Sequence, residues 1–169
     1  PCPFCGGATR RHLSAPDRNR GVSKLVFDVR QCTKCGLFFV ANPPADIGRY
    51  YTADYHFVPQ TAADLDARLP AQQFKIDLLK RFQSGGALME IGPSNGIFCR
   101  LAQQNGFDVS AIEVDSACVS FLGNALGVAA VESGEPDKAL ASDPRRFQAI
   151  CLWHAIEHLP RPWAVIQEC

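Results

Sequence analysis

From residue 71 onward the apolar positions alternate between two periods. Ala71, Phe74, Leu78 and Phe82, with Leu79 beside them, recur at helical spacing, and Ser84-Gly85-Gly86 ends the run. Residues 87–91 form a short apolar stretch that reads as a strand, and Gly92-Pro93-Ser94-Asn95-Gly96 reads as a turn. Ile97, Phe98, Leu101 and Ala102 then share one helical face, with Gly106 as the stop signal. A second strand is predicted over 109–114. Asp115 or Ser116 is placed to cap a helix that runs through Leu126 and ends at Gly127. Further strands are expected over 128–131 and 147–153, the latter apolar along most of its length, as a strand buried on both faces should be. Pro160 and Pro162 precede a helix whose first turn is 163–169. This alternation predicts an α/β domain with a parallel sheet of about four strands and right-handed crossovers. Its ligand site is expected at the carboxyl ends of the strands.

The first 42 residues follow another rule. Two cysteine pairs stand here, Cys2-Pro3-Phe4-Cys5-Gly6 and Cys32-Thr33-Lys34-Cys35-Gly36, and segments 25–29, between them, and 37–40, after the second, read as short strands. A two-residue spacing lets both thiolates of a pair face one ion, and the glycine after each pair permits the tight turn. Two such knuckles close a tetrahedral four-cysteine site, so Cys2, Cys5, Cys32 and Cys35 are the candidate ligands of Zn2+ in a small ribbon. Disulfides and iron in the same cage are the alternatives. A closed site of this kind stabilises structure and leaves no position for catalysis. Cys99, Cys118, Cys151 and Cys169 lack the spacing and read as ordinary buried thiols.

Ala41-Asn42-Pro43-Pro44 marks a boundary, because proline excludes both helix interior and central strand. Residues 43–70 read as a linker. They carry Tyr50, Tyr51, Tyr55, His56 and Phe57, either an aromatic clamp between the two parts or a lid over a ligand. The core is then 71–169. The chain opens at Pro1 and closes at Cys169 inside a starting helix, so a fragment truncated at the carboxyl end is expected.

Composition narrows the classes. At 169 residues and 47% hydrophobic, the chain can bury a core. Its net charge of zero argues against a nucleic-acid binder acting over its whole surface. The charge is uneven, however. Arg10, Arg11, Arg18, Arg20, Lys24, Arg30 and Lys34 stand against only Asp17 and Asp28 in the first 35 residues. No apolar run reaches the ~18 residues of a membrane span, and no secretory signal opens the chain, so a cytoplasmic protein without membrane association is expected.

The turn after the first core strand discriminates between cofactors. A dinucleotide loop needs Gly-x-Gly-x-x-Gly, and the matching positions are Gly92, Ser94 and Ile97, so two of three fail. The order present is Glu90-x-Gly92-x-Ser94-x-Gly96. This resembles motif I of the class I S-adenosylmethionine-dependent methyltransferases, usually acid-x-Gly-x-Gly-x-Gly, with Ser94 departing at the middle glycine. Glu113 stands where that family carries the acid at the end of its second strand. Trp153-His154-Ala155-Ile156-Glu157-His158-Leu159 looks like the family's segment after strand four. The Cys-x-x-Cys-Gly-Leu, Asn-Pro-Pro and Tyr-Tyr elements resemble a bacterial subgroup with an N-terminal zinc ribbon. The resemblance covers nearly the whole chain.

The resemblance implies a Rossmann-like sheet, incomplete here, and S-adenosylmethionine as cofactor. It implies that Gly92 and Gly96, with the backbone of Pro93, Ser94 and Asn95, line the methionine part. Glu90 would meet its ammonium and Glu113 the ribose hydroxyls, while Glu132 or Glu135 would meet the adenine amino group. Trp153 and His154 would border adenine or the sulfonium, although Trp153 reads equally well as core. Methyl transfer from a sulfonium is an in-line displacement that rests on positioning. A hydroxyl acceptor benefits from a general base, for which His154 and His158 are the candidates. Glu157 and His158 also read as groups at a helix entry. Three functions follow: a methyltransferase acting on a small molecule, such as a sugar or biosynthetic intermediate; an RNA methyltransferase whose basic ribbon grips phosphates; or a non-catalytic ribbon module on an incomplete core.

Overall fold

The computed structural model describes residues 1–18, 21, 23–44, 58–159 and 161–169. The aromatic group Tyr50, Tyr51, Tyr55, His56 and Phe57 lies outside the described residues. The chain forms two compact units, Pro1–Tyr55 and His56–Cys169.

In the first unit β1 (Thr9–Pro16), β2 (Val26–Cys32) and β3 (Phe38–Val40) pair antiparallel in the order β1-β2-β3. The cysteine-flanked strands appear as expected, whereas β1 gave no pattern to read. Six of its eight residues are exposed, so its side chains carry no alternation of apolar and polar. Its register with β2 slips between Arg11 and Leu13. The extra residue, His12, bulges out and sets its ring against Phe38, 4.8 Å away. Among the described residues of this unit only Cys2 and Cys32 are buried. The ribbon therefore has no apolar core of its own.

The second unit is built on a four-stranded parallel sheet in the order β6-β5-β4-β7. Its strands are β4 (Gly86–Ile91), β5 (Phe107–Glu113), β6 (Ala129–Glu132) and β7 (Ala149–Cys151). Every neighbouring pair runs parallel, as the alternation of periods requires. Period two divides β4 between two cores. Leu88 faces a cluster with Phe98, Leu101, Val109, Phe121 and Leu122, whereas Met89 and Ile91 face Ile112, Leu140 and Val165. Helices α3 (Ile97–Gln104) and α4 (Ser116–Leu126) cover the first side, and α5 (Pro136–Ser142) and α6 (Pro162–Glu168) the second. Asp115 caps α4 as expected. Its side chain accepts from the N–H groups of Ala117 and Cys118, and Gly127 closes the helix in the left-handed conformation.

The segment predicted as one helix over 71–82 differs. It opens in a 3₁₀ turn at Leu69–Gln72 and continues as α2 (Gln73–Lys80), and a further short helix, α1 (Ala63–Asp66), precedes it in the stretch read as linker. The face that holds α2 to the core is Lys75, Ile76 and Leu79. Phe74, Leu78 and Phe82, which set the helical spacing, are exposed, Phe82 at 80%. Leu65 and Leu69, from the stretch read as linker, belong to the core. Helix α5, in a stretch that gave no pattern, begins with Pro136 at its first turn, where proline is tolerated. Among the described residues no helix is long and apolar enough to cross a membrane.

Candidate functional site

At the amino end the four cysteine Sγ atoms lie within 4.8 Å of one another. Cys2 to Cys35 is 3.7 Å and Cys5 to Cys32 is 3.6 Å. A tetrahedron with metal–sulfur bonds of about 2.3 Å has edges of about 3.8 Å, so the donor set fits such an ion. Glycine is required after each pair. Gly6 and Gly36 adopt φ of 68° and 79°, which lets their N–H groups donate to the Cys2 and Cys32 carbonyls. The N–H groups of Lys34 and Cys35 point at Cys32 Sγ, at 3.3 and 3.4 Å. Hydrogen bonding from the Cys35 N–H, joined by that of Lys34 and the neighbouring thiols, lowers the Cys32 thiol to about 6 against the opposing effect of burial. A thiol so depressed is predisposed to bind metal as thiolate.

The second site lies at the carboxyl ends of β4 and β5. Glu113 is the last residue of β5 and is buried. Its Oε2 accepts from the Ser94 N–H (2.8 Å), and its Oε1 from the N–H groups of Val114 (2.7 Å) and Asp115 (3.0 Å). One carboxylate thereby ties the turn after β4 to the turn after β5. The Gly92 N–H extends the ladder to the Ile112 carbonyl at 2.9 Å. Between these ties, Ser94 takes φ of 54°, in the left-handed region. A glycine enters that region freely and a serine at a cost of about 1 kcal/mol. The backbone thus keeps the shape of the glycine-rich turn although its middle glycine is absent.

The flanking glycines answer to packing. A Cβ on Gly92 would stand 2.9 Å from the Ala155 Cβ, and one on Gly96 would stand 2.6 Å and 2.8 Å from the tips of Leu122 and Leu126. Gly92 lets the strand end approach the segment after β7, and Gly96 lets α4 pack under the turn. Pro93 is buried, and Asn95 Oδ1 lies 3.4 Å from the Ile97 N–H at the start of α3.

Glu90 is one residue from the end of β4 and only 2% exposed. Burial pushes its carboxyl up to about 7, against the opposing effects of the Cys99 thiol and the Lys75 charge. The Cys99 S–H, in the first turns of α3, donates to Glu90 Oε2 at 3.0 Å. Cys151, the register partner of Glu90 on β7, is buried beside it, and burial with the Glu90 charge raises that thiol to about 12. Cys99 and Cys151 are therefore buried as expected, with Cys99 engaged by the carboxylate. Cys118 is buried also, whereas Cys169 is exposed, a correction that follows from its place at the end of α6.

Trp153 follows β7 and is half-buried. Its ring meets Phe98 edge-on at 5.3 Å and Phe74 at 6.3 Å, and Lys75 Nζ lies 5.2 Å from its centroid. His154 projects into solvent, its side chain 84% exposed, with Nδ1 3.7 Å from Glu157 Oε1 and φ of 55°. His158 is exposed in the 3₁₀ turn Ile156–His158. Glu132 ends β6 and is exposed, while Glu135 is engaged by Lys138 at 2.7 Å. The fold therefore gathers Glu90, the 92–96 turn, Glu113 and Trp153 at adjacent strand ends, with both histidines on the exposed segment beyond Trp153. A cleft of about 510 Å³ between residues 58–62 and α4 includes none of these groups.

Sequence reading missed Lys75 and Cys99. Lys75 falls off the apolar spacing of its helix, and a buried lysine has no pattern of its own. Cys99 lies nine residues after Glu90, a separation that returns the first turns of a helix over the end of the preceding strand.

A family model described as a methyltransferase domain matches residues 62–169, from the first residues before α1 through α6. No curated protein matches the chain. The family match spans more than half of the sequence and contains the strand-end carboxylates and the turn between them: this chain belongs to the methyltransferase-domain family.

Proposed function

We propose that the protein transfers a methyl group from S-adenosylmethionine to a small-molecule acceptor, such as a sugar or biosynthetic intermediate, and that its ribbon holds Zn2+ as a structural ion. The observation that carries the reading is the Glu113 carboxylate, which organises both turns at the ends of β4 and β5 and keeps acceptor capacity. A carboxylate offers about four acceptor directions, and three are used by Ser94, Val114 and Asp115. Oε2 accepts one N–H and has room for a ribose hydroxyl. Oε1 meets a second hydroxyl only by sharing or releasing a backbone N–H.

Glu90 serves the ammonium of the methionine part, and the 92–96 backbone lines it. Trp153 and His154 border adenine or the sulfonium, and Glu132 or Glu135 meets the adenine amino group. When bound, S-adenosylmethionine supplies an electrophilic methyl group open to in-line displacement. The protein's task is to hold that methyl in line with the acceptor and to exclude water. For a hydroxyl acceptor, His154 or His158 takes the proton, His154 being nearer the strand ends along the chain. An RNA acceptor is less well supported. Arg11 and Arg30 of the ribbon are both paired with Asp28, so part of its basic charge is already answered within the ribbon.

Isothermal titration with S-adenosylhomocysteine tests the cofactor. Saturable one-site binding is expected, weakened at least about 10-fold by Glu113→Gln, which removes a charged acceptor. A wild-type protein that binds neither S-adenosylhomocysteine nor S-adenosylmethionine would defeat the reading. RNA binding that collapses with added salt would favour the RNA acceptor instead.

A further inference from the structure

Lys75 lies on the buried face of α2 and is only 8% exposed. Among the described residues its ammonium makes no hydrogen bond and no ion pair. Its Nζ stands over the Trp153 ring, 5.2 Å from the centroid. The indole N–H of that same Trp153 is fully buried and has no hydrogen-bond partner among the described residues. An ammonium without a protein partner and an unanswered indole N–H thus share one neighbourhood. The buried N–H carries the desolvation cost that native structures ordinarily relieve with a partner.

The missing partner has a definable chemistry. It must accept from an ammonium and from an indole N–H, as a carboxylate does. Lys75 also senses the charge of Glu90, which counters the lowering of its pKa by burial, yet the two form no ion pair. A buried cation and a buried acid, opposed but not in contact, match a group that bears a carboxylate and an ammonium on one carbon. That group is the α-amino-acid end of a ligand.

Building on the cofactor reading above, we propose that Lys75 and the Trp153 indole N–H hold the carboxylate of the methionine part of the methyl donor, opposite Glu90 at its ammonium. Lys75 is then a binding residue that sets preference for a ligand with an intact amino-acid head. Trp153 acts there as a donor, with its ring packed on Phe98 and Phe74.

The test is a thermodynamic cycle between protein and ligand. Affinities of S-adenosylhomocysteine and of its decarboxylated analogue, the latter by competition where binding is weak, are measured for wild type, Lys75→Met, Lys75→Arg and Trp153→Phe. Methionine fills the space of lysine without a charge to bury, so Lys75→Met should keep or raise the melting temperature. It is expected to weaken S-adenosylhomocysteine at least 10-fold and to change the decarboxylated analogue less than 2-fold. Lys75→Arg should restore most of the affinity, and Trp153→Phe should show the same selectivity at about 3-fold or more. Equal losses for both ligands, or no loss for either, would overturn the assignment of Lys75 while wild-type binding of S-adenosylhomocysteine still upholds the cofactor. Absence of wild-type binding to both ligands would overturn the two together. Should Lys75→Met fail to fold, the Trp153→Phe ratio decides, a ratio of one counting against the proposal.

Discussion

Two carboxylates at the ends of neighbouring strands are held by opposite means. Glu113 receives three backbone N–H groups, while Glu90 has the thiol and backbone N–H of Cys99 and a lysine with which it forms no ion pair. Burial therefore dominates at Glu90 and raises its carboxyl to about 7 from an ordinary value of 4.5. A raised acid binds its proton more tightly folded than unfolded. The associated stability is present in full below pH 4.5 and is lost as the pH climbs through 7. The full loss on ionisation is about 3 kcal/mol, at about 1.4 kcal/mol per unit. Glu90→Gln should flatten this dependence, leaving the variant more stable than wild type at pH 8 and close to it at pH 4.5. Urea midpoints at the two pH values measure the difference, and parallel curves for the two proteins would refute the role of burial.

At the level of elements, α2 shows why a periodic pattern is not yet an orientation. Phe74, Leu78 and Phe82 share one stripe, and Ile76 and Leu79 another about a third of a turn away. Both stripes are apolar, and the sheet takes the second. Ile76→Ala should cost about 2–5 kcal/mol, as for other buried aliphatic truncations, because Ile76 is fully buried. Phe82→Ser should stay within about 0.5 kcal/mol, since that ring is 80% exposed. Chemical denaturation of the two variants distinguishes the faces, and a reversed order would mean that the first stripe is the packed one. Elsewhere the elements follow their local signals closely. Asp115 and Gly127 bound α4 where capping chemistry places them.

For the molecule as a whole, two units obey different economies of burial. The His56–Cys169 unit buries apolar side chains on both faces of its sheet. The Pro1–Tyr55 unit buries only Cys2 and Cys32 among its described residues, so on the proposed reading a metal held by its four cysteines would take the place of an apolar core. Chelation should unfold the first unit and leave the cooperative melting of the second within a few degrees of its original position. Metal analysis, limited proteolysis and calorimetry of the intact chain report on each. A metal-free protein whose ribbon still resists protease would contradict the argument. A charged residue such as Lys75 is tolerated within the second unit because its remaining burial is ample.

Much of this was legible along the chain because it depends on neighbours in sequence. Period two and period 3.6 fix the parallel α/β order, two-residue cysteine spacings fix the four-sulfur cluster, and Glu90, the 92–96 turn and Glu113 fall at strand ends by position alone. What the sequence left open depends on groups far apart in it. The exposed strand β1 forms only because β2 supplies its ladder. The buried face of α2 is chosen by the sheet beneath it, and Lys75 meets Trp153 across 78 positions. Local chemistry encodes where a turn bends and which atoms it presents, whereas burial, and with it the charge state of Glu90 and the unanswered donors beside it, exists only once distant segments have excluded water together.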